Sequence, residues 1–107
     1  MNRKNRDLLI AALETPPDEG GYVKYRGSLV IEGHNGDSDR FCCLGVACDI
    51  FDLWETDGYS QGGFLSPKQL KQIGMTKSEQ QKLMDVNDEH FTFGPVIDLL
   101  KTMKVTT

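Results

Sequence analysis

The sequence predicts an α+β domain: a small antiparallel β-sheet over residues 22–42, packed on four or five short helices, with a buried central helix at about 43–54. Three observations predict it. Residues 41–54, Phe-Cys-Cys-Leu-Gly-Val-Ala-Cys-Asp-Ile-Phe-Asp-Leu-Trp, hold every cysteine, the one tryptophan and the densest apolar run. Residues 22–31 gather aromatic and β-branched types. Ser66-Pro67-Lys68-Gln69 and Thr76-Lys77-Ser78-Glu79 are capping boxes, each of which opens a helix.

A first helix is expected over residues 3–14, with Leu9, Ala12 and Leu13 on its inner side. Pro16-Pro17 ends it, because the residue before a proline avoids the helical region and proline has no N–H to donate. Asp18-Glu19-Gly20-Gly21 is a turn. Tyr22 to Ile31 reads as two short strands, or one strand kinked at Gly27. The polar stretch 33–39 is a hairpin loop, and Arg40-Phe41-Cys42 is the returning strand. In the central helix Cys43, Ala47, Ile50 and Trp54 share a face, with Leu44, Cys48 and Phe51 beside them. What remains is a narrow polar strip of Gly45, Asp49, Asp52 and Thr56, so this helix is expected at the centre of the fold.

After a loop over 57–63, Ser66 caps a helix that carries Leu70 and Ile73 and stops at Gly74. The Thr76 box opens a helix with Leu83, Met84 and Val86, expected to break at Asn87-Asp88-Glu89. Asn87-Asp88 then caps the helix that follows, or ties the turn by side-chain bonds to backbone. A last helix starts near Gly94-Pro95, with Ile97, Leu100 and Met103 at core spacing.

A chain of 107 residues is read as one domain, 1–107. It can bury roughly 60–65% of its unfolded surface, enough for a core without staples. Its hydrophobic fraction of 38% and charged fraction of 26% fit a globular protein rather than a disordered one. No apolar run nears the roughly 20 residues that span a bilayer, so no membrane is expected. The basic start gives way to Asp7, and Leu8 to Leu13 is too short for an export signal, which favours the cytoplasm. A net charge of −4 argues against general affinity for nucleic acid.

The adjacent pair Cys42-Cys43 cannot bridge without a strained ring, so buried reduced thiols are expected. With His34 and His90 the cysteines match no zinc pattern, and neither metal nor cofactor is expected. Asp49 and Asp52 share a helix face and read as its solvated strip rather than as an acid–base pair. The stretches beginning at Asn35 and at Asp85 echo a calcium loop but place Val46 and Val96 where its closing glutamate belongs, and calcium is rejected. Tyr22, Lys24, Tyr25 and Arg26 form a small basic-aromatic strip, a place where a base or nucleotide would stack.

Several segments form a larger pattern: the N-terminal helix, Tyr25 to Leu29 with its Gly-x-Leu end, and Phe41 to Cys48, Phe-Cys-Cys-Leu-Gly-Val-Ala-Cys. Leu65 to Gly74, the Asn87-Asp88 pair and Phe93 to Leu100 complete it over nearly the whole chain. The arrangement resembles an uncharacterised family of small bacteriophage and prophage proteins. It departs from that family in a first helix without tryptophan, and in Gly94-Pro95 where an acidic residue is usual.

The resemblance brings no catalytic residues with it. It implies a phage genome as the source. With the small single domain and no coherent catalytic set, the expectation is an accessory protein in a bacterial cytoplasm that binds a host protein without catalysis, as an inhibitor in host takeover or counter-defence. Tyr59, Phe64, Phe91 and Phe93, in or beside loops, are the candidate contacts, since aromatics dominate binding hot spots. The alternative is a small-molecule or nucleotide-sequestering protein using Tyr25, Arg26, His34 and Arg40. A second alternative is a small cysteine-dependent enzyme using Cys42 or Cys43 with His90.

Overall fold

A computed structural model describes residues 1–33, 36–55 and 61–105; His34, Thr56 and Tyr59 lie outside them. The first helix, α1 (Arg3–Glu14), is capped by Asn2, whose side chain accepts the Asn5 N–H at 2.8 Å. Leu9, Ile10 and Leu13 are buried, and Ala12 is half-buried. Thr15, extended before Pro16, ends the helix as the proline rule requires.

Three two-residue strands follow: β1 (Val23–Lys24), β2 (Val30–Ile31) and β3 (Arg40–Phe41), in the sheet order β1-β3-β2. β2 and β3 are antiparallel, with Val30 opposite Phe41, while β1 and β3 are parallel, with Val23 opposite Arg40. The sheet is therefore mixed, where the sequence suggested a wholly antiparallel one. The cause lies at Gly27. At φ 116 it turns the chain, and its N–H donates to the Asp88 carboxylate at 2.9 Å instead of closing a hairpin between β1 and β2. The returning strand then enters between them, and the Tyr25 N–H continues the pairing by donating to the Phe41 carbonyl at 2.8 Å.

The central helix, α2 (Cys43–Phe51), has residues 43–48 entirely buried. It is shorter than the sequence suggested. Asp52 adopts the left-handed conformation at φ 54, one that Asp tolerates better than most side chains, and the Leu53 N–H bonds back to the Cys48 carbonyl at 2.9 Å. Trp54 thus lies beyond the helix, half-buried. Gly45 is not part of a wet strip either: a Cβ there would stand 1.7 Å from the Leu29 carbonyl oxygen, so α2 rests directly on backbone.

Helices α3 (Pro67–Ile73) and α4 (Lys77–Glu89) both open with capping boxes made in both directions, and Gly74, left-handed at φ 72, ends α3. α4 does not break at Asn87-Asp88 but continues through them to Glu89. The last helix, α5 (Gly94–Thr102), buries Val96 and Leu100. Among the described residues, five α-helices and the three-stranded sheet make up the α+β fold that the sequence predicts.

α2 packs on α1 and α4, and α5 packs on the same two helices. Leu9, Leu29, Leu44, Leu83 and Leu100 meet in this core with no exposed surface. Two buried side-chain amides tie the segments on either side of the 56–60 stretch to their helices. Gln69 donates to the Leu53 carbonyl at 2.8 Å, and Gln80 accepts the Leu65 N–H at 2.6 Å. Among the described residues, no helix is long and apolar enough to cross a membrane.

Candidate functional site

Three segments, 25–29, 41–48 and 87–88, converge at the N-terminus of α2. Cys42 caps the helix through sulfur, with its Sγ accepting the Gly45 N–H at 3.4 Å. The Cys43 N–H, a group with no partner inside the helix, donates at 3.1 Å to Oδ1 of Asn87, a fully buried side chain on α4. Nδ2 of Asn87 donates to the Tyr25 carbonyl and to Oδ1 of Asp88, both at 3.1 Å. The Cys42 N–H donates to the Leu29 carbonyl at 3.2 Å. One amide side chain thus joins α2, α4 and the segment after β1.

Lys24 closes the same C-terminal end of α4. Its Nζ donates to the carbonyls of Asn87 at 2.5 Å and His90 at 2.6 Å, where a cation also favours the negative end of the helix dipole. Burial lowers the Lys24 pKa, and Asp88 opposes that shift. Burial also raises all three thiols: Cys42 to about 11, Cys48 to about 12, and Cys43 well above its ordinary value. These thiols stay protonated at neutral pH, which weighs against the cysteine-enzyme reading.

Beside this junction the chain presents an open surface. Phe91, in the turn between α4 and α5, is 83% exposed, and the Arg26 guanidinium lies over its ring at 5.0 Å from the centroid. Lys24, Tyr25, Arg26 and Phe91 line a shallow cleft of about 310 Å³. Tyr25 also borders a smaller one of about 170 Å³, shared with Ile31, Glu32, Asp37 and Arg40. Tyr25, Arg26 and Phe91 are therefore brought together, while Arg40 shares the second cleft with Tyr25.

The other candidates fall elsewhere. Phe64 is 48% exposed but lines neither cleft. Phe93 is not a surface residue at all: it is buried at the start of α5, within the hydrophobic cluster, and its ring lies 6.0 Å from Lys24 Nζ. His34 and Tyr59 lie outside the described residues.

A third cleft, about 450 Å³, lies against Tyr22, Phe41, Asp37 and Asp39. The Tyr22 hydroxyl donates to the Asp49 carboxylate, and its ring meets Phe41 edge-on at 5.0 Å. Burial and that bond raise the Tyr22 pKa to about 12. Asp49 is accordingly a hydrogen-bond acceptor as well as a solvated residue. Among the described residues, no cluster of His, Cys, Asp and Glu is placed to hold a metal ion.

Comparison with known proteins finds no matching family model, no matching curated protein and no matching solved structure. The site is therefore read from its own geometry. Sequence reasoning missed the junction role of Asn87, although a signal was available. Gln80, Leu83, Met84 and Asn87 fall at i, i+3, i+4 and i+7, so Asn87 belongs to the buried face of its helix.

Proposed function

We propose that the protein acts by binding another protein, without catalysing a reaction, and that the surface of Tyr25, Arg26 and Phe91 is its contact. The reading is carried by Phe91, a large apolar side chain left 83% exposed beside a cleft with an arginine stacked on it. Scattered exposed hydrophobics are ordinary. An aromatic residue paired with arginine is different, because these types are enriched at protein interfaces and dominate their energetics. The phage source, and a bacterial host factor as the partner, rest on the resemblance of the Cys-Cys-Leu-Gly-Val-x-Cys and Asn-Asp segments. The role that fits is inhibition or redirection of that factor.

The test places a photo-cross-linking phenylalanine analogue at position 91 and irradiates it in bacterial cells. The proposal expects a discrete adduct that is absent when the same analogue sits at Leu8, an exposed position on α1. No adduct at position 91 refutes it. Tyr25, which lines one cleft with Arg26 and another with Arg40, favours nucleotide sequestration as a second reading. A nucleotide panel that leaves the melting temperature unchanged removes that reading, since a ligand of the folded state must raise it.

A further inference from the structure

We propose that the partner presents a carboxylate to this surface: an Asp or Glu side chain, or a C-terminus, pairing with the Arg26 guanidinium while an apolar neighbour covers the Phe91 ring. The inference rests on the binding reading above and specifies the chemistry of the partner.

Arg26 carries it. Among the described residues its guanidinium has the Phe91 ring as a neighbour but neither an ion pair nor a hydrogen-bond acceptor. On α4, Oδ1 of Asp88 accepts the Gly27 N–H at 2.9 Å and Asn87 Nδ2 at 3.1 Å, and among the described residues no ion pair joins this carboxylate to Arg26. The walls of the cleft hold two cations, Lys24 and Arg26, and no carboxylate. Lys24 is tied to the Asn87 and His90 carbonyls, so it contributes field while Arg26 contributes the free donors.

A guanidinium held against an aromatic face has lost much of its rotational freedom before any partner arrives. Its planar donor fork matches a carboxylate in two parallel bonds, a geometry that lysine cannot reproduce. A nucleic-acid backbone fits less well. The chain carries a net charge of −4, which repels a polyanion, and one free fork offers a single point of contact.

The test uses a synthetic peptide of the partner that spans the residue cross-linked at position 91. A second version has each Asp and Glu replaced by its amide and the C-terminus amidated, and both are titrated into the full-length chain. The amide version should bind at least about tenfold more weakly. Arg26→Gln should weaken the intact peptide as much and the amide version little further, as expected of two groups that meet each other. Arg26→Lys should recover only part of the loss.

Unchanged melting of these variants shows that the loss is one of contact. Equal binding of the two peptides overturns the carboxylate assignment. So does an Arg26→Gln affinity within about twofold of the original while Phe91→Ala abolishes binding, a result that leaves an apolar contact alone. Failure to cross-link at position 91 is a different outcome: it removes the binding reading itself, and this inference with it.

Discussion

Asn87 is the position at which a single substitution should expose the logic of the junction. Replacing it with alanine removes the acceptor of the Cys43 N–H and the donor to the Tyr25 carbonyl. The Cys43 amide is buried, so its loss should cost about 1–3 kcal/mol; the Tyr25 carbonyl belongs to a half-buried residue and regains water, for a smaller cost. Alanine returns about 0.5 kcal/mol of helix propensity. The net expectation is a loss of about 1–3 kcal/mol, or about 5–20 °C in melting temperature for a domain of this size.

Urea unfolding followed by the fluorescence of half-buried Trp54 measures it, with an unchanged slope as the check on two-state behaviour. Asn87→Asp keeps the acceptor but loses the donor and sets a second carboxylate beside Asp88. Such a carboxyl has its pKa raised in the folded state. Its stability should therefore be greatest in acid, where the protonated group can again donate, and fall as pH rises. A loss below about 0.5 kcal/mol for Asn87→Ala would refute the reasoning, since it would mean that water serves Cys43 as well as Asn87 does.

Gly45→Ala should cost more than about 3 kcal/mol or prevent folding, because its Cβ would meet the Leu29 carbonyl at 1.7 Å and backbone on both sides cannot yield; urea titration of the soluble fraction decides. The three thiols should resist a thiol reagent at pH 8 until the chain unfolds, and fast labelling of the native protein would contradict their burial. Stability should be insensitive to these thiols below their ordinary value of 9.0, then fall as pH rises toward about 11, because the unfolded chain releases their protons first. Tyr22, raised to about 12, adds to that fall, while lowered Lys24 opposes it and is outnumbered. Phe91→Ala should leave stability within about 0.5 kcal/mol of the parent, read by thermal melting, and abolish capture of the partner.

The helices were legible because their signals are local. The prolines, the two capping boxes and Gly74 placed the helix ends without reference to the rest of the chain. The sheet was legible only in part: residue types showed which segments extend, but pairing depends on a bond from Gly27 to Asp88, 61 positions away. The end of α2 was missed for a related reason. Apolar periodicity runs on through Leu53 and Trp54, and a left-handed aspartate rather than a glycine stops the helix. At the site, Tyr25 and Arg26 could be read as a surface strip and Phe91 as a loop aromatic. That they meet is a consequence of where α4 ends. Phe93 has the same residue type and nearly the same position as Phe91, and only tertiary packing separates the buried ring from the exposed one.

The junction is built from three separate segments, 25–29, 41–48 and 87–88. Leu29 offers its carbonyl to Cys42, Cys42 caps a helix through sulfur, Gly45 lets that helix touch backbone, and Asn87 with Asp88 joins three segments. Gly45 and Asn87 are each constrained by a contact that few other residue types could make, so they specify a frame. Arg26 and Phe91 have no such constraint: one is exposed and stacked on the other, and Phe91 could be removed without leaving a cavity. This surface can therefore vary without loss of the fold. Specificity for a partner would then lie in the turn after α4 and the segment after β1, held at a fixed separation by Lys24 and Asn87. Breaking that frame should abolish binding by unfolding the domain, whereas exchanging Arg26 and Phe91 should change the partner and leave the domain intact.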